Sequence, residues 1–191
     1  MRLVLVQALF FTLGLGLSLS PRTDTEIGPF KNPELTPFLQ LDLAVGRETN
    51  VTAPENNLIM APNVKGGRVT GAFEADILPI GASIERGVKT ELGENSFYTN
   101  RYVLQTANND TIGLEVDVIV NYRNNAHHSF GFGKFTTDIP DLLYLNYNMY
   151  LVEVTGDFNT GGGAGQIFAL KSGGRRDGEP ITALLPVGGK D

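Results

Sequence analysis

Between Thr111 and Arg123 apolar and other residues exchange places at almost every step. Ile112, Leu114, Val116, Val118, Val120 and Tyr122 fall on one side, and Gly113, Glu115, Asp117, Ile119 and Asn121 on the other. A period of two sends successive side chains to opposite faces of a strand, so this segment predicts a strand with one buried face. Upstream, Tyr102, Leu104 and Thr106 share a face, and Asn108-Asn109-Asp110 supplies the turn. The stretch from Tyr98 to Tyr122 is therefore expected to be a long β-hairpin. Leu39, Leu41, Leu43 and Val45 alternate with Gln40, Asp42 and Ala44 in the same way. Further strands are expected over Arg68–Ile77 and Ile77–Ile84, with bends at Gly66-Gly67, Pro79 and Gly81. An aromatic-rich strand over Leu142–Thr155 and a closing strand over Gln166–Leu170 complete the set. No segment after residue 20 has a three-to-four-residue period, so little helix is expected.

Many strands with turn signals between them, and few edges marked by lysine, favour closure. The expected fold is all-β, a closed antiparallel barrel of about eight or more strands, with a β-sandwich as the alternative. Pro21, Pro29, Pro33 and Pro37 mark an extended leader over residues 21–34 that runs into a barrel domain over 35–171. From Ser172 the chain is Gly, Pro and charge around Ala183-Leu184-Leu185, which predicts a loose tail over 172–191.

Residues 1–20 stand apart. Met1-Arg2 followed by the apolar run Leu3–Leu19 has the layout of a cleaved secretory signal peptide. The sequons Asn50-Val51-Thr52 and Asn109-Asp110-Thr111 make Asn50 and Asn109 candidate glycosylation sites in a eukaryotic secretory pathway. The expected location is the secretory lumen or outside the cell, with no membrane partner once the leader is removed. The chain has no cysteine, so a secreted form must hold together by its core and not by disulfides. A formal charge of -6 leaves no basic footprint for DNA or RNA, and nucleic acid is not expected as a partner.

Several motifs resemble a known family. These are Gly66-Gly67-Arg68-Val69-Thr70-Gly71 with Phe73, Leu78-Pro79-Ile80-Gly81-Ala82, Asn100-Arg101-Tyr102-Val103-Leu104-Gln105-Thr106, and Tyr144-Leu145-Asn146. Over roughly Leu35–Leu170 they resemble an uncharacterised family of bacterial and fungal proteins known only as a domain of unknown function. The resemblance implies a small barrel related in shape to ligand-binding and cyclase barrels, and brings no established catalytic residues. The chain departs from the family pattern at Ile80, where a glycine is usual. It also departs at Ser83-Ile84, where Asp-Trp is usual, and at Thr99, where an acid precedes the arginine. Two family carboxylates are missing, which turns the expected chemistry toward shape and away from acid–base groups.

Candidate chemistry is sparse. Glu115 and Asp117 lie on one face of a strand about 7 Å apart, close enough to raise one pKa, although that face is the one expected in solvent. Arg101 beside Tyr102 would anchor a carboxylate or enolate in a dry cavity. Arg101 and Asp117 are thus the candidate catalytic pair. His127 and His128 are adjacent and would point to opposite faces of a strand, so they cannot share a metal; one could act as acid or base at a barrel mouth. No metal site and no cofactor are expected. The cluster Gly161–Gly165 lacks the Gly-Lys-Ser/Thr ending of a phosphate loop and precedes a strand. Candidate pocket residues are Phe73, Tyr102, Leu114, Val116, Val118, Tyr122 and Tyr147, mostly apolar or aromatic side chains on the expected inner face. Together these suggest a secreted barrel that binds a small apolar metabolite. It would act as a cofactor-free cyclase or isomerase by holding a reactive conformer, a contribution of about 7–11 kcal/mol. The alternatives are a noncatalytic secreted protein working at a cell wall or host surface, and a ligand carrier. An oligomer is compatible with the sequence.

Overall fold

The computed structural model describes residues 28–44, 51–53, 55, 57–63, 65–90 and 93–181. The signal-like segment over residues 1–20, residues 21–27 of the extended leader, Asn50 and residues 182–191 of the expected tail lie outside them. Eleven strands form one sheet: β1 (Glu34–Ala44), β2 (Val51–Ala53), β3 (Leu58–Pro62), β4 (Gly67–Gly71), β5 (Ala75–Ile77), β6 (Ala82–Thr90), β7 (Gly93–Gln105), β8 (Thr111–Arg123), β9 (Ala126–Thr136), β10 (Met149–Asp157) and β11 (Gly162–Lys171). Eight of them close a ring in the order β7-β5-β4-β1-β11-β10-β9-β8, and β8 pairs back onto β7. The sheet is a closed antiparallel barrel.

The expected hairpin is present as β7–β8, in register from Gln105↔Thr111 to Glu94↔Tyr122. Asn109 sits at its exposed tip with φ +65°, the left-handed region that asparagine tolerates. Only Leu104 and Gln105 of β7 pair with β5, whereas Gly93–Asn100 pairs with β6. Strands β6, β3 and β2 therefore form a flap on the first half of β7, beside the ring. A reciprocal amide pair ties this flap down: Asn63 donates to Asn100 Oδ1 at 2.8 Å and Asn100 donates to Asn63 Oδ1 at 3.0 Å.

The barrel is filled at one end. Phe38, Phe73, Phe135 and Tyr150 pack edge-on or tilted with ring centroids 4.9–6.4 Å apart, the geometry that aromatic quadrupoles prefer. A 3-10 helix over Pro140–Tyr147 lies at the same end and buries Leu145 completely. Asn146 joins it to the end of β9 by accepting from Thr137 N and donating to Thr137 O, both at 2.8 Å.

This helix corrects the expected strand over Leu142–Thr155, which begins only at Met149. Pro140 in the first turn fixes a helical φ, and the aromatic spacing that resembled alternation leaves Tyr144 and Tyr147 exposed. The closing strand is also longer than expected, because Gly162, Gly163 and Gly165 belong to β11. A Cβ on Gly165 would lie 2.8 Å from Val154 Cγ2, so the glycine lets β10 and β1 come close. The first part of the expected loose tail is tied to the leader. Phe30 bridges Arg175, and Arg176 N donates to Pro29 O at 2.9 Å.

Candidate functional site

At the end away from the aromatic layer the inward side chains do not meet. They leave a cavity of about 300 Å3, the lower end of the range of small-molecule sites. One wall is apolar, formed by Leu41, Leu43, Val116, Val118, Val152 and Val154. These project from β1, β8 and β10, where alternation turned every second residue inward. The adjoining wall is polar, with Tyr98 and Asn100 directly beside Val118 and Val116 across the β7–β8 ladder. Strands β6 and β7 alternate with the reverse chemistry, directing Ser83, Glu85, Tyr98, Asn100 and Tyr102 into the lumen. Exposed Ala44, Pro62 and Lys65 form the rim.

Glu85 is the centre of the polar wall. Tyr122 Oη donates to its Oε1 at 2.5 Å, and buried Ser96 Oγ donates to the same oxygen. Glu85 Oε2 accepts no hydrogen bond from the described residues. Among them Glu85 also lacks an ion-pair partner within 4.0 Å. Deeper along β7, Asn100 donates to Tyr98 Oη at 2.6 Å. Burial raises the pKa of the Tyr98 and Tyr102 hydroxyls, and burial together with Glu85 raises that of Tyr122. All three stay protonated donors at neutral pH.

His127 closes the mouth with Tyr122 and Phe158. The Tyr122 and Phe158 rings stack at 6.3 Å, and His127 sits 5.5 Å from Phe158 and 6.3 Å from Tyr122. Burial lowers the His127 pKa, while the nearby Glu85 charge works against that shift. Desolvation is the larger effect, so the imidazole is neutral at pH 7. Its Nδ1 is buried without a hydrogen-bond partner. His128 faces outward and bonds Glu153 at 2.8 Å. The two histidines thus part as adjacent strand residues must. Among the described residues no three His, Asp or Glu side chains are grouped to hold a metal ion.

Of the expected pocket residues, Tyr102, Val116, Val118 and Tyr122 line the cavity. Leu114 is buried in the core outside the cavity lining, and Phe73 belongs to the aromatic layer. Tyr147 ends the 3-10 helix and is 86% exposed, so it cannot contact a guest in the lumen. The expected catalytic pair is also displaced. Arg101 points outward and pairs with Glu115 at 2.7 Å, with its side chain 76% exposed. Asp117 accepts from Thr99 Oγ1 at 2.5 Å on the outer face. Both obey the alternation that sends Tyr102, Val116 and Val118 inward. Sequence reasoning missed Glu85, Ser96, Tyr98 and Asn100 as a set. Their signal was a polar residue at every second position, Ser83-x-Glu85 and Ser96-x-Tyr98-x-Asn100-x-Tyr102.

Comparisons with other proteins agree with this architecture. Solved structures that share the fold include the following three. A protein with unknown function from Clostridium acetobutylicum ATCC 824 is 12% identical with a TM-score of 0.60, covering 73% of this chain and 100% of its own. A conserved protein of unknown function from Rhodopseudomonas palustris is 13% identical with a TM-score of 0.62, covering 73% of this chain and 99% of its own. A beta-barrel like protein from Acinetobacter baumannii AYE is 16% identical with a TM-score of 0.59, covering 76% of this chain and 100% of its own. No curated protein matches the chain. Residues 33–157, most of the barrel, match the model of the DUF3237 proteins of unknown function, and the chain belongs to that family.

Proposed function

We propose that the protein binds one small organic molecule in the unfilled end of its barrel. The observation that carries this reading is the cavity of about 300 Å3 between a valine-rich wall and a wall of hydroxyl, amide and carboxylate groups. A guest of matching polarity gains from burying its apolar body, about 25 cal/mol per Å2, and its polar end finds preformed partners. The guest is thus amphipathic, with a polar end on the small, largely apolar metabolite expected from the sequence. Secretion remains part of the proposal, supported by Met1-Arg2 and the apolar run after it. Asn109 at an exposed turn is sterically open to a glycan.

A cofactor-free isomerase or cyclase is the second reading. Three ionisable side chains, Glu85, Tyr122 and His127, meet beside the cavity, and they replace Arg101 and Asp117 as its candidate proton-handling groups. A noncatalytic surface-acting protein would need no such lumen.

Val118 tests the binding reading because it is inward and at the cavity wall. Val118→Trp should fill the space with an indole and weaken uptake of hexanol, a small amphipathic probe, by roughly tenfold or more, with overpacking costing no more than about 1–3 kcal/mol of stability. A calorimetric titration checks it. Unchanged hexanol binding in a folded Val118→Trp protein would place any binding site elsewhere.

A further inference from the structure

Resting on the binding reading above, we infer that the guest is an organic cation, an amine or quaternary ammonium with an apolar body. Both hydrogen bonds to Glu85 end on Oε1. Oε2 keeps its acceptor capacity, and the residue lines the cavity. A half-buried carboxylate oxygen facing the cavity offers an acceptor to a charged donor on the guest. Among the described residues no cationic side chain lies within 4.0 Å of it. His127 is the nearest candidate, and burial holds it neutral. Arg86 is the next residue along β6 and is exposed on the opposite face. Lys65 stands at the exposed rim, where it has an interaction of its own.

The surroundings of Glu85 match the same ligand. Tyr122 and Phe158 stack beside it, and Tyr98 and Tyr102 line the cavity further in. Aromatic faces attract a cation through their quadrupole, by about 0.5–2 kcal/mol for each good contact. The rings line the same cavity as the carboxylate, and Val116, Val118, Val152 and Val154 accept the hydrocarbon. An anionic guest would meet the Glu85 carboxylate inside the lumen, with the one lysine among the described lining residues, Lys65, out at the exposed rim. A neutral alcohol would use the hydroxyl and amide groups but leave the charge unpaired.

The test is a chemical-shift titration of the full chain with hexylammonium, hexanol and hexanoate at neutral pH. Hexylammonium should bind roughly tenfold more tightly than hexanol, the gain expected for a hydrogen bond to a charged group, and hexanoate should bind more weakly than both. Glu85→Gln, which keeps an acceptor for Tyr122 and Ser96, should erase the preference, so that hexylammonium and hexanol bind the variant with similar affinity. Phe158→Leu, which keeps the carboxylate but removes the ring stacked on Tyr122, should weaken hexylammonium about threefold or more relative to hexanol. Hexanol binding with no preference for the cation, or a preference that survives Glu85→Gln, overturns the inference while leaving the binding reading intact. If none of the three probes binds, the binding reading itself falls.

Discussion

Phe135→Ala is expected to lower stability by about 3–5 kcal/mol, the range for removing a fully buried phenylalanine. The ring is completely buried and contacts Phe38, Phe73 and Tyr150. It also stands opposite Leu114 across the β8–β9 ladder. Its removal leaves a void in the layer that closes one end of the barrel, and three neighbouring rings lose their edge-on partner. Against a total stability of about 5–15 kcal/mol this is a large share. The melting temperature should fall by roughly 6–20 °C for a domain of this size. Phe132→Ala is the control, three residues earlier on the same strand and 54% exposed on the outer face; it should shift melting by only a few degrees. Equal shifts for the two variants would contradict the assignment of inward and outward positions along β9.

Gly131→Val should be more damaging than either, beyond about 4 kcal/mol, in the upper tail of single substitutions. A Cβ at residue 131 would lie 2.1 Å from the Asp117 carbonyl oxygen and 2.7 Å from Val118 Cα. Those are backbone atoms of β8, fixed by the ladder that pairs Gly131 with Val118, so they cannot swing aside as a side-chain end could. The absence of a side chain lets β8 and β9 approach closely where the barrel wall bends. Gly113→Ala provides the contrast. Its Cβ would meet only Thr136 atoms at 3.6 Å, an ordinary contact, so stability should change by about 1 kcal/mol or less. Chemical denaturation of both variants gives the comparison, and a Gly131→Val protein as stable as Gly113→Ala would refute the close approach.

The two halves of the barrel were not equally legible in the sequence. Strand β8 could be read directly, because Ile112 through Val120 alternate with polar groups and the inward set is apolar. Closure could be inferred from the number of strands and the shortage of protected edges, but not how the ring closes. Residues 67–77 split into the short strands β4 and β5, and only two residues of β5 meet β7. The apolar cavity wall was legible for the same reason as β8. The polar wall was not, because the rule that apolar residues face inward fails on β6 and β7. On β6 Ser83 and Glu85 face the lumen while Ile84 is exposed. On the outer face Phe97, Ile119, Phe130 and Phe132 break the same rule from the other side. Arg101 and Asp117 were chosen as chemistry-bearing residues on a promising hairpin, and the hairpin's own parity then placed them in solvent.

Placing the guest in the lumen can be tested by observing the valine methyl groups during a titration of the wild-type protein with hexylammonium. The account predicts saturable shifts at Val116, Val118, Val120, Val152 and Val154, which line the cavity, and none at Ile119 on the outer wall. Shifts confined to Ile119 and its exposed neighbours, or valine methyl signals that stay fixed to saturation of the probe, would contradict it.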